Sequence, residues 1–180
     1  MVKRMKPGAY ILIGIPVLFL IGGLFHALFS VSGELFAVGL FAPVNESVFE
    51  HVKMVALPIF LWWGLFYLFR RRGLRRDAWF STALLAMFTG TISIPLLYYF
   101  YTEAFGIESL VMDALILLIS VGLGQLLGRH YYKNGKGIDY RLALALMVIV
   151  ILLFASLTVI PPKLPLFQNP MDGSYGIPTM

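Results

Sequence analysis

LALALMVIVILLFASLTVI, residues 142–160, carries no charged residue along its whole length. The hydrocarbon core of a bilayer is about 30 Å thick, and a helix needs roughly 20 apolar residues to cross it. This stretch therefore reads as a transmembrane helix. Four others meet the same requirement, at about 8–30, 47–69, 79–101 and 107–127. The expected fold class is all-α, an integral membrane bundle of five transmembrane helices. It forms one domain over residues 1–160, with a tail over 161–180. The composition excludes the soluble alternatives. Hydrophobic residues make up 59% of the chain and charged residues 13%, against roughly 45–50% and about 25% in soluble domains. A soluble domain of 180 residues has no way to hide that much apolar surface. Disorder fails on the same ground. The chain has no cysteine, which removes disulfide scaffolds, Cys-ligated zinc, iron–sulfur clusters and thiol catalysis.

The few charges orient the bundle. Every Lys and Arg except Lys53 and Lys163 falls in one of three segments: Lys3, Arg4 and Lys6; Arg70 to Arg76; and Arg129 to Arg141. With five spans these segments share one side. Every acidic residue except Asp77 and Asp139 lies toward the other. Positive loops stay in the cytoplasm, so the N-terminus is expected there and the C-terminus outside. The first stretch has a basic start, but its apolar run exceeds a signal-peptide h-region and no A-x-A-like site follows, so it is expected to be retained. The short RRRGLRR loop lies against anionic headgroups. The lipid bilayer is thus the expected partner and nucleic acid is not. His130, among Arg129, Tyr131, Tyr132 and Lys133, reads as a loop residue at headgroup level.

Several spans carry helix breakers: Gly14, Pro16, Gly22 and Gly23 in the first, Pro58 in the second, Gly90 and Pro95 in the third, Gly122 and Gly124 in the fourth. Small residues let membrane helices approach closely, and packing is the plainest account of them. Hinges are the alternative. No repeat relates two halves of the chain, as an inverted-repeat transporter would require.

The chemistry gathers at the outer ends. In FAPVNESVFEHVK, residues 41–53, Ser47 and Glu50 fit a capping box opening the second helix, and Asn45 is a rival cap. Capping does not need four ionisable groups within eight residues. Glu46 and Glu50 are four apart and share a face; Glu50 and Lys53 are three apart and able to pair. His51 projects roughly 100° away from Glu50. So polar a stretch is expected to face the bundle interior or a water-filled vestibule. His26 lies near the outer end of the first helix. Tyr98, Tyr99, Tyr101, Thr102 and Glu103 end the third, and Glu108 and Asp113 open the fourth. Asp113 is the deepest carboxylate, so it needs a partner or a proton; His26, His51 and Lys53 are the nearest by depth. The candidate binding residues are His26, Asn45, Glu46, Ser47, Glu50, His51, Lys53, Tyr101 and Asp113. Capping, an aromatic belt and solvated charge are the plainer readings of many of these.

In the tail, Pro161, Pro162, Pro165 and Pro170 stop the last helix and favour extended chain. Leu164, Leu166, Phe167, Tyr175 and Ile177 make it too apolar for a plain solvated end. It is expected to fold back over the outer mouth. Residues 31–42 are open between an interfacial helix and a re-entrant segment.

Residues 39–53, the end of the first helix with His26, and the tail from Pro161-Pro162 through Pro165-Leu166-Phe167 to Tyr175-Gly176-Ile177 together carry a resemblance. The chain resembles a family of small prokaryotic multi-pass membrane proteins of unknown function. That family commonly has Trp at the place of Phe49 and Asp at the place of Asn169, and it is more aromatic and acidic after His26 than Ala27-Leu28-Phe29-Ser30. Asn169 weakens any case for a charged ligand from the tail. The resemblance implies the fold and the weight of the central motif, and no activity.

Three functional classes fit. A ligand-, ion- or partner-binding membrane subunit, alone, in a homo-oligomer or with a membrane protein partner, tolerates chemistry confined to one side. A transporter would use graded Asp, Glu and His as a proton relay, but the inner halves of the spans offer almost no ionisable group. A metal-dependent hydrolase would hold a divalent ion such as Zn²⁺ with His26, Glu50, His51 and Asp113 and act on a lipid-like substrate. No H-E-x-x-H pattern supports that set.

Overall fold

The computed structural model describes residues 6–177. Lys3 and Arg4 of the basic N-terminal cluster lie outside the described residues. Among the described residues the fold is all-helical: α1 (Pro7–Val31), α2 (Phe36–Gly39), α3 (Val48–Arg70), α4 (Arg76–Phe105), α5 (Leu110–Asn134) and α6 (Tyr140–Val159), followed by a 3-10 turn at Pro165–Phe167. All but α2 are long and apolar enough to cross a membrane. That supports a multi-pass membrane protein. The basic loops α3–α4 and α5–α6 lie at one end of the bundle. The acidic end holds the segment between α1 and α3, the α4–α5 turn and the tail.

Local chemistry sets the ends of these helices. Pro7 opens α1 at a position where its missing N–H costs nothing. The Asp139 side chain caps α6 by accepting from the Arg141 N–H. Gly106, with φ 63°, turns α4 off in the left-handed region. Two helices run further than apolarity alone suggests. α4 starts at Arg76 and ends at Phe105, and α5 continues to Asn134. His130, expected in a loop, is therefore helical. The Arg75 guanidinium donates to the carbonyls of Tyr132 and Gly135 at the end of α5, and the Tyr132 ring packs edge-on against Trp79. These contacts carry α5 beyond the hydrophobic stretch.

α4 packs along α5, α3 and α6, while α1 packs along α5 and α3. The core holds Trp63, Trp79, Ile59, Val55, Met87 and Val121. Two glycines set the closest approaches. A methyl group at Gly22 would stand 2.9 Å from the Met54 carbonyl oxygen, and one at Gly124 would stand 2.5 Å from that of Ala86. Both places exclude a side chain, so α1 meets α3 and α5 meets α4 backbone to backbone. Residues 32–47 form turns around the single helical turn of α2, with Ala42, Pro43 and Val44 buried.

Candidate functional site

α3 begins at Val48, and that start decides the site. Ser47 is the N-cap: its hydroxyl accepts from the Glu50 N–H at 3.4 Å. The capping box closes only on this side. The Ser47 N–H donates to Asn45 Oδ1 at 2.8 Å, which leaves the Glu50 side chain free to turn inward. Glu46 precedes the helix, so the four-residue spacing to Glu50 does not place the two on one face. They part company.

Glu50 and Lys53 form a buried ion pair with Oε2 and Nζ 2.5 Å apart, each side chain 2% exposed. Lys53 also donates to the Gly39 carbonyl at 2.8 Å and to Thr158 Oγ1 at 2.9 Å. Its three ammonium donors are then all used. Glu50 accepts from the Val44 N–H at 3.1 Å and from Thr158 Oγ1 at 2.8 Å. This network ties α3, α6 and the 39–44 segment together. A buried pair without such satisfaction would cost more than its Coulomb energy returns.

Glu46 faces the other way. His26 Nε2 donates to Glu46 Oε2 at 3.2 Å, and His51 Nε2 lies 3.5 Å from the same oxygen. The two imidazole centroids are 5.2 Å apart. The His51 Nδ1–H donates to the Ser47 carbonyl at 2.9 Å. All three residues are partly open to solvent. The His26 hydrogen bond holds the Glu46 carboxyl below the usual carboxylate range, against the opposing effect of its partial burial.

This cluster lines a cavity of about 450 Å³ between α1, α3, α4 and α5. Phe19, Met54, Ile94, Ile116 and Leu117 give it an apolar floor, and Tyr98, Glu108 and Asp113 face it from α4 and the start of α5. Pro170 and Met171 of the tail also line it. A neighbouring cavity of about 430 Å³ shares Val48, Tyr98, Glu108 and Pro170. The tail is tied to the bundle by Asn45 Nδ2, which donates to the Gly176 carbonyl at 2.9 Å, and by Phe167, which packs on Phe49 with centroids 4.4 Å apart; within the tail Gln168 bridges Tyr175.

Of the residues singled out from sequence, His26, Glu46 and His51 come together and Asp113 shares their cavity. Among the described residues Asp113 meets no cation. Its Oδ1 accepts from Tyr101 Oη at 2.9 Å, and that oxygen accepts from the Ser109 N–H at 3.3 Å. The place beside the histidines expected for Glu50 belongs to Glu46, because Glu50 is consumed by Lys53 and Thr158. Asn45 and Ser47 act through backbone. Thr158 was missed: it and Ser156 are both hydroxyls near the acidic end of α6, and nothing local marks which of them reaches Glu50. The roles of Gly23, Pro170 and Met171 as cavity walls have no signal in sequence order.

The chain belongs to a family of unknown function, DUF6512, whose model matches residues 1–177. No curated protein and no solved structure matches it.

Proposed function

We propose that this family member is a binding protein of the plasma membrane, holding a small amphiphilic ligand in a cavity open to the extracytoplasmic side. The basic loops at the opposite end support the orientation. The observation that carries the reading is the cavity itself: an apolar floor inside the bundle and a rim of His26, Glu46, His51 and Asp113. Its volume of about 450 Å³ falls in the range of small-molecule sites, roughly 300–1,000 Å³. Ionisable side chains gathered beside an apolar cavity are the arrangement expected of a ligand site. The apolar part of a ligand would lie against Phe19, Ile94 and Leu117, with its polar group among the rim residues and the tail above. Binding accounts for the one-sidedness better than proton transport does. Among the described residues, Gln125 and Ser120 are buried toward the basic half, but no carboxylate or histidine is buried there.

Gly23 gives the test. It lines the cavity, and a side chain started there meets nothing within 4 Å. Gly23→Phe fills the space without a clash at its root. Native mass spectrometry of protein released gently from membranes is expected to show a bound amphiphile on the wild type and its loss in Gly23→Phe. Equal loads on both proteins would overturn the reading.

A further inference from the structure

The His51 ring is fixed in one tautomer by its neighbours. A carbonyl oxygen only accepts, so Nδ1 bears the hydrogen that reaches Ser47 O at 2.9 Å. In the neutral ring Nε2 is then a bare lone pair. It lies 3.5 Å from Glu46 Oε2, another acceptor. Two acceptors facing each other at that distance call for something positive between them. His26 Nε2 approaches the same oxygen at 3.2 Å, and an ion bound there takes the place of the hydrogen on that nitrogen, which the ring carries on Nδ1 instead.

The spacings match a metal site. Zn²⁺ bonds of about 2.0–2.1 Å to nitrogen and about 2.0–2.2 Å to oxygen, arranged tetrahedrally, place neighbouring donor atoms about 3.4 Å apart. The two edges at Glu46 Oε2, 3.2 and 3.5 Å, bracket that value. One ligand atom from each of His26, Glu46 and His51 lies within 4.8 Å of the others, so closing the third edge needs a rotation of one partly open imidazole. The outer partner is in place as well: a metal-bound imidazole almost always donates its second ring N–H to a carbonyl or carboxylate, as His51 does to Ser47. That carbonyl belongs to the N-cap residue of α3, a rigid support.

We propose that His26, Glu46 and His51 form a three-ligand site for a divalent first-row transition-metal ion, Zn²⁺ by its donor set, with the remaining coordination position open to the cavity. Two imidazoles and one carboxylate are a ligand set that suits Zn²⁺, and three protein ligands with one open position are the arrangement of sites that bind a further group rather than merely brace a fold. All three ligands line the cavity, so the open position is where the polar group of a bound amphiphile arrives. That last step rests on the ligand-binding reading of the cavity; the metal site itself does not.

The test uses the full chain, purified in detergent, stripped with chelator and titrated calorimetrically with Zn²⁺ alone. One ion per chain is expected. Losing only an outer partner of a ligand costs roughly 10–100-fold in affinity, so His26→Ala, Glu46→Ala and His51→Ala should each weaken binding by at least about tenfold. Co²⁺ in the wild type gives a second readout that does not depend on any variant folding. Intense tetrahedral absorption supports the site, and a weak octahedral spectrum overturns it. No saturable Zn²⁺ uptake by the wild type, or unchanged uptake by the three variants, also overturns it. Gly23→Phe separates the two readings, because it narrows the cavity and leaves all three metal-ligand side chains in the chain. If Zn²⁺ binds but amphiphile load ignores Gly23→Phe, the cavity reading fails alone. If the load responds but Zn²⁺ is not bound, the metal site fails alone.

Discussion

On one side of the opening turns of α3, Glu50 and Lys53 are each 2% exposed and have every polar atom engaged by each other, Thr158 and backbone. On the other side, Glu46 and His51 meet His26 at the rim of a cavity, partly open, with both imidazoles within 3.5 Å of one carboxylate oxygen. The charges are of the same kinds, within eight residues of one another. The difference is what else reaches them. α6 brings a hydroxyl to the first group and closes it. The cavity leaves the second group open, with room for an added partner. Buried charge that is satisfied fixes a structure; charge left short of partners beside a cavity marks the place to bind something.

The largest effect is expected from breaking the closed side. Lys53→Met leaves the Glu50 carboxylate buried without its cation. Removing one member of a buried pair costs about 3–5 kcal/mol, read as a lowered unfolding midpoint in detergent. The double variant Glu50→Gln, Lys53→Met should recover much of that loss, because no bare charge remains. On the open side His51→Ala gives up one hydrogen bond, worth about 1 kcal/mol. If Lys53→Met cost no more than His51→Ala, the contrast between the two sides would collapse.

Thr158→Val probes the same side more gently. It deprives Lys53 of an acceptor and Glu50 of a donor, but leaves the ion pair intact. A buried polar group left unsatisfied costs about 1–3 kcal/mol. The loss should therefore fall between those of Lys53→Met and His51→Ala in the same unfolding assay, and Thr158→Ser should restore most of it. An unchanged midpoint in Thr158→Val would mean that α6 does not seal the pair.

Much of this was legible in the sequence, for identifiable reasons. Five spans follow from length and apolarity, as residues 142–160 show, because a helix crossing lipid must satisfy its own backbone and offer apolar side chains. The Glu50–Lys53 pairing follows from three-residue spacing inside a helix. Spacing misleads at Glu46, where the helix has not yet begun: the four-residue rule presumes helical backbone, and Asn45 and Ser47 hold a turn there instead. Asp113 looked deeper than it is, because α4 runs on to Phe105 and moves the start of α5 to Leu110. Its partner, Tyr101, is a neutral donor twelve residues back, where a search by charge looks for a cation. Contacts such as Thr158 with Glu50, or Asn45 with Gly176, join residues more than a hundred positions apart. No local pattern encodes them.

The smallest expected effect lies in the tail and depends on pH. Asp172 is fully exposed and accepts from the Ser174 N–H at 2.9 Å. Hydrogen bonding to Ser174 holds its carboxyl below the usual aspartate value, because the ionised form is the better acceptor. Its contribution to the turn is therefore present at neutral pH and above the unfolded value, and it is lost as pH falls through the lower, folded one. Pro170 and Met171, beside this turn, line the cavity, so acid should loosen the cover over the open side first. Amide exchange at Ser174, corrected for its intrinsic rate, should lose protection below the usual carboxylate range. Asp172→Ala should be poorly protected at every pH. The amides of α3 around Glu50 and Lys53 should not follow, since their protection reports the sealed pair. Loss of protection at both places together would mean that the tail and the buried network open as one unit, and that the two sides of α3 are less independent than their geometry indicates.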